Sequence, residues 1–383
     1  MISVIFSRGS LFLMNNKYGV RLLSILLLSK ILLVAHYFFC FYILGHSDID
    51  FLQKLQFGDS HWYLSIANDG YLSAPRDFIL HNPTNLPFFP LLPLCIYVLK
   101  YFQLSELSII IFNQILSWAS VWLLFSYLSK RYDGKTSFYA CIFFIFSTEQ
   151  IYFLSIYTES LFLFLLLCLL NLSERRQYFL ASIAGGLLSA TRFIGFLSFY
   201  LIIYQQYLDY RQKSKVITKT ELLKMLINIM MCLSGLCYFM LFLHYHTNDF
   251  LAFYHAQAIW GRKTVVDIMH TLPFHPINTI KDMIHGSALD GLMLILLVPM
   301  VIKFYINNRK LELLMLVIFV GPSLATFNTI SLTRFIFILP ATYLYFAEII
   351  ANKSLRTKTI SFISLWMLSN YAWYLVFCCG GLI

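Results

Sequence analysis

The sequence predicts an all-α polytopic membrane protein with about eleven transmembrane helices and two large outer loops. Three observations carry this. Hydrophobic residues make up 59% of the 383-residue chain, charged residues only 12%, and mean hydropathy is +0.73, far from the balance of a soluble domain. Apolar runs of about 17 or more residues recur along the whole length, long enough to cross a bilayer as helices. Lys and Arg also concentrate in alternate connections between these runs, as the positive-inside rule requires.

The first run, 22–44, is too long for a signal-peptide core and has no small-residue cleavage site after it, so it reads as an uncleaved span. The first outer loop, 45–106, follows. Within it Asp59 leads a short amphipathic helix that Gly70 stops. On that helix Asp59 shares a face with Trp62, Tyr63 and Ile66, while His61, Ser65, Asn68 and Asp69 take the other side. Pro83, Pro87, Pro90 and Pro93 argue against a regular span, so 88–102 reads as a helix lying in the outer interface, anchored by Phe, Tyr and Lys.

Further spans are expected near 107–128, 136–154, 158–173, 178–191, 193–208 and 222–243. The connections at Glu159 and Arg192 are tight outer turns, which puts Glu159 at the wet membrane surface. The second outer loop, 244–287, carries Asp249 in an N-cap position. On the helix expected after it, His255 and Arg262 lie seven apart on one face, with Phe253, Tyr254, Gln257 and Trp260 on the adjoining face. Four spans near 288–304, 311–330, 335–351 and 359–379 complete a single transmembrane domain, 1–383.

With the N-terminus inside, 20 Lys and Arg fall on the inner side and 8 on the outer side. The net charge of +10 is therefore a topology signal and not a nucleic-acid footprint. All ten histidines fall in outer loops or, for His36, in the outer half of a span, and seven of the ten prolines lie in the two outer loops. Long ordered loops are where function sits, so the chemistry is expected to face outward. The eight cysteines lie in apolar stretches without metal-type spacing and read as small hydrophobes. His244, His246, His270 and His275 fit no defensible metal spacing either.

Six segments, in order, resemble the PIG-V family, the membrane mannosyltransferases of the GT-C glycosyltransferase superfamily, and especially its bacterial members. Gly58-Asp59 through Trp62-Tyr63 and Ile66-Ala67 to Gly70-Tyr71 resembles the family's Trp-Asp-x-x-Trp-Tyr-x-x-Ile-Ala-x-x-Gly-Tyr. Phe88-Phe-Pro-Leu-Leu-Pro93 resembles Phe-Phe-Pro-Leu-Tyr-Pro, and Tyr157-Thr-Glu-Ser-Leu-Phe162 resembles Tyr-Ser-Glu-Ser-Leu-Phe. Thr191-Arg192 with Gly195 resembles Thr-Arg-x-x-Gly. Ala252-Phe253 with Ala256-Gln257 and Trp260 resembles Ala-Phe-x-x-Ala-Gln-x-x-Trp, and Arg334 before Leu339-Pro340 resembles Arg-Tyr-x-x-x-x-Phe-Pro. The resemblance covers about residues 20–350. The chain departs from it at Gly58, where the family often has Trp, and at Asn248-Asp249-Phe250, where it has Gly-Asp-Pro.

The resemblance implies a GT-C fold and transfer of a hexose, mannose foremost, from a polyprenyl- or dolichyl-phosphate donor to a hydroxyl on a glycan or lipid acceptor. It implies inversion at the anomeric carbon, and neither a nucleotide sugar nor a bound cofactor. Asp59 is the expected general base. Glu159 would orient acceptor or donor hydroxyls. Arg192, Arg262 and Arg334 run against the charge rule and suit the leaving phosphate, with His61, His255 and Lys263 behind them and Gln257 and Trp260 beside the substrate. The membrane would be a bacterial inner membrane with the site toward the periplasm, or the endoplasmic reticulum in a eukaryote. Transferases of another sugar, or a lipid or solute transporter, are the alternatives. A transporter would want midplane charges and duplicated halves, whereas only Lys30 and His36 lie clearly within a span.

Overall fold

A computed structural model of the chain describes residues 17–39, 42, 51–72, 84–212, 217–257, 288–325 and 331–379. The described residues are helical, with no strand among them. The helices are α1 (Lys17–Phe38), α2 (Phe51–Lys54), α3 (Ser60–Asp69), α4 (Leu91–Tyr101), α5 (Glu106–Leu128), α6 (Gly134–Ile145), α7 (Gln150–Leu154), α8 (Glu159–Glu174) and α9 (Tyr178–Thr191). A 3₁₀ turn (Phe193–Ser198) leads to α10 (Phe199–Gln212), α11 (Lys219–Thr247) and α12 (Ala252–His255). Then come α13 (Ala288–Ile306), α14 (Lys310–Ala325), α15 (Leu332–Phe337), α16 (Pro340–Ile350) and α17 (Leu355–Cys379).

Among the described residues, three stretches are long and apolar enough to cross a membrane: Tyr18–Phe38, Glu106–Leu128 and Lys219–Thr247. Val20, Leu27, Leu28, Ile31 and Val34 stand exposed along α1, which is the surface a lipid-facing helix presents. The chain is thus helical and membrane-associated. It divides into two compact units, one drawn from residues 1–61, 98–175 and 340–383, the other from 62–97 and 176–339.

In the first unit α8 is the core. It is apolar on every side and nearly all of it is buried, the pattern of a helix surrounded by protein. It packs along α5, and the side-chain N–H group of the buried Asn171 donates to the Leu123 carbonyl (3.0 Å), a hydrogen bond that crosses this interface. Helix α6 starts on Asp133, whose carboxylate accepts the Lys135 and Thr136 backbone N–H groups. In the second unit α9 and α11 form the most extensive contact. A Cβ on Gly186 would stand 2.5 Å from the Met231 carbonyl, and one on Gly235 would stand 2.2 Å from the Gly186 carbonyl, so only glycine permits this approach.

Two expected spans are broken. The stretch 136–154 stops at Ile145 and resumes at Gln150 as α7, because the buried Glu149 and Gln150 are held in a bend; Gln150 donates to the Phe144 carbonyl (2.7 Å). The stretch 335–351 divides into α15 and α16 at Leu339, because Pro340 has no N–H to continue a helix and instead opens the next one. The expected span 193–208 begins with a 3₁₀ turn, and 222–243 extends to 219–247. Residues 326–330 of the expected span 311–330 lie outside the described residues.

Candidate functional site

Asp59 lies just before α3, half-buried, and directly follows Gly58. Gly58 has φ +53°, and a Cβ there would meet the Tyr157 hydroxyl at 2.4 Å, so a side chain would strain the backbone and displace that hydroxyl. The hydroxyl that fills this space accepts the Asp59 backbone N–H (3.0 Å). The Tyr157 ring packs against Phe57 (5.2 Å between centroids) and Tyr152 (5.0 Å). Asn113, fully buried on α5, donates to the carbonyls of Ser155 (2.5 Å) and Tyr157 (3.5 Å), which fixes that bend. The Asp59 and Tyr157 segments are thereby joined.

Glu159 follows as the first residue of α8. It is 1% exposed and not the wet interfacial carboxylate expected of a surface turn. The N-terminus of a long helix is where a buried carboxylate is favoured, because the unpaired N–H groups there carry partial positive charge. His61 is exposed, one residue into α3.

The second unit brings the aromatic parts of both large loops together. Phe88 stacks on Trp62 (5.8 Å) and meets Tyr63 edge-on (5.2 Å). Asn85 closes the same loop by donating to the Gly70 carbonyl (3.1 Å) and accepting the Leu72 N–H (3.0 Å), and the Tyr71 hydroxyl donates to the Phe88 carbonyl (2.7 Å). From α11 the His246 Nε2–H donates to the Tyr71 carbonyl (2.9 Å). Phe89 packs against Phe239 of α11 (4.8 Å) and Phe253 of α12 (5.4 Å), with Leu86, Leu236 and Leu243 completing a buried cluster. Proline-rich loop, helix and second loop are locked by one set of rings.

Among the described residues, the second loop carries the four-residue α12 with Leu251 at the N-cap, so Asp249 is not the cap. Asp249 instead accepts the Leu251 N–H (2.9 Å) and holds His255 Nδ1 (2.6 Å). Because Nδ1 donates to the carboxylate, a neutral His255 presents Nε2 as an acceptor. The face expected to join His255 to Arg262 runs into residues outside the described ones; Gln257, half-buried, is the last residue described there. Trp260, Arg262 and Lys263 lie outside the described residues.

Arg192 ends α9 in an extended conformation, its guanidinium 5.7 Å from the centre of the Phe335 ring. Its turn is closed by the Gly195 N–H donating to the Arg192 carbonyl (2.9 Å). Arg334 is the neighbour of Phe335 in α15 and is partly exposed. Two of the three arginine segments therefore meet.

Sequence reasoning missed Asn113 and the hydroxyl of Tyr157 as organisers of the Asp59 turn. The readable signal was an Asn within the apolar run 107–128. The chain matches no protein-family model, no curated protein and no solved structure.

Proposed function

We propose that this protein is a membrane glycosyltransferase of GT-C type, similar to the PIG-V mannosyltransferases, with about eleven spans and an outward-facing site. Its donor is a polyprenyl-phosphate hexose and its acceptor a hydroxyl. The observation that carries this reading is the Asp59 N–H to Tyr157 hydroxyl bond (3.0 Å), which ties together two segments resembling family motifs, with the carboxylates Asp59 and Glu159 close to it in sequence.

On this reading the Asp59 carboxylate takes the acceptor's hydroxyl proton while that oxygen bonds to the anomeric carbon from the face opposite the phosphate. The anomeric C–O bond to phosphate breaks, its electron pair stays on the phosphate, and the polyprenyl phosphate leaves as an anion. Arginine is the side chain best matched to that charge, which assigns Arg192, Arg262 or Arg334 to it by chemistry. Glu159 orients sugar hydroxyls, and the ring-locked loops give the site a fixed frame.

The test is incubation of purified protein with radiolabelled polyprenyl-phosphate mannose and a native membrane extract, beside GDP-mannose as the alternative donor. Label should pass from the lipid donor to acid-stable product and not from the nucleotide sugar. Transfer from GDP-mannose alone, or accumulation of unreacted donor on one side of a sealed vesicle, would replace this reading with a different transferase or a transporter.

A further inference from the structure

A cavity of about 380 Å³ lies in the second unit among the starts of α9 and α11 and the end of α10. It uses none of the residues assigned above. Helix α11 has 29 residues, about 44 Å at 1.5 Å per residue, against a hydrocarbon core of about 30 Å. Its first turns, with Glu221 and Lys224, therefore fall at headgroup depth. By the charge rule this is the inner leaflet.

The walls carry both signs of charge. Arg176 pairs with Asp209 (2.9 Å), and Lys224 with Glu221 (3.1 Å). The Tyr210 hydroxyl donates to the other Glu221 oxygen. Desolvation, and then that hydrogen bond, hold the Tyr210 phenol above its usual value, so it stays a donor. Arg176 and Lys224 are more than half exposed and keep N–H groups to spare. Behind them two amides are buried. Asn228 accepts the Ser182 hydroxyl (3.3 Å), but the side-chain oxygen of Gln206, a residue 2% exposed, has no hydrogen-bond partner among the described residues. A buried acceptor without a donor destabilises the fold, and a bound donor would recover that cost. Phe179 and Ile227 stand exposed on the wall, giving the cavity an apolar margin.

We propose that this cavity binds the headgroup of an aminophospholipid, phosphate and primary ammonium together. Arg176 and Lys224 donate to the phosphate oxygens. Glu221 and Gln206 accept from the ammonium, and the acyl chains follow Phe179 and Ile227 toward the bilayer. Phosphatidylglycerol offers Gln206 only a neutral hydroxyl, and its phosphate charge stands beside Glu221 and Asp209 with no ammonium to balance it. A choline headgroup has no N–H to give.

The experiment is native mass spectrometry of the purified full chain, offered equal amounts of dioleoyl phosphatidylethanolamine, phosphatidylglycerol and phosphatidylcholine. Retention of phosphatidylethanolamine should exceed the other two by about tenfold. Gln206→Met should remove that preference, and the exposed Lys224→Ala should weaken retention in a chain whose melting temperature is unchanged. Equal retention of the three lipids, preference for phosphatidylglycerol, or an undiminished preference in both variants would overturn the proposal. Displacement of the lipid by soluble glycerophosphoethanolamine at equal concentration would also overturn it, by showing that the lipid is not the ligand. None of these readouts uses sugar transfer, so they stand or fall separately from the proposed function.

Discussion

Around Asp59 the chain is held by hydrogen bonds: a glycine in the left-handed region, a tyrosine hydroxyl on a backbone N–H, and a buried asparagine on two carbonyls. Around Phe253 it is held by rings: Phe89, Phe239 and Phe253 pack together with aliphatic side chains, and polar groups stay at the edge. Directional bonds fix the backbone that carries one carboxylate. Non-directional apolar contact fixes where a whole loop lies. The difference teaches that substitutions in the first region should act on turnover, and substitutions in the second on folding.

The largest expected effect is in the rings. Phe239→Ala removes a side chain 1% exposed and should destabilise the protein by about 3–5 kcal/mol, read as a fall in melting temperature in detergent. A small fall there would mean that the loop is held by something other than the cluster. Next come the arginines. Ala at Arg192, Arg262 or Arg334, whichever meets the phosphate, should cost about 1.5–3 kcal/mol in turnover, with Lys intermediate because it keeps the charge and loses the fork. Normal turnover and donor binding in all three Ala variants would leave them as membrane anchors.

Smaller is Tyr157→Phe, which takes the acceptor from the Asp59 N–H and should lower turnover by about 1–3 kcal/mol with little change in melting. An equal loss of stability would make the contact merely structural. Smallest is Asp133→Ala, about 1 kcal/mol of stability at neutral pH. The Thr136 hydroxyl holds the Asp133 carboxyl below its ordinary value, opposed by desolvation and helped by backbone N–H groups. A depressed carboxylate stabilises above its unfolded value and loses that contribution as pH falls through its folded one. The gap between Asp133→Ala and the parent should therefore close with acidification and stay open at neutral pH.

The helices were legible where apolar runs are uninterrupted, as at Glu106–Leu128 and Tyr178–Thr191. The breaks were not. Glu149 and Gln150 sit in a run that hydropathy reads through, and their burial is a tertiary fact. Pro340 did carry its signal, a proline within an apolar stretch. Within the site, the stop at Gly70 and the start at Ser60 followed from local chemistry. The bond from Asp59 to Tyr157 spans 98 positions, and no local pattern encodes such a pairing. Likewise the acidic residue at 249 looked like a helix cap because Asp serves both caps and Asx turns, and His255, six residues on, decides between them.

The central claim is that Asp59 is a base and not only the residue before a helix. Asp59→Asn keeps the size and one side-chain oxygen but cannot accept the acceptor's proton. The decisive measurement is single-turnover transfer from labelled polyprenyl-phosphate mannose by the parent and by Asp59→Asn, with donor binding and melting temperature recorded on the same samples. Transfer should fall by roughly a hundredfold or more while binding and melting hold. Transfer near the parent rate in the Asn variant would contradict the account.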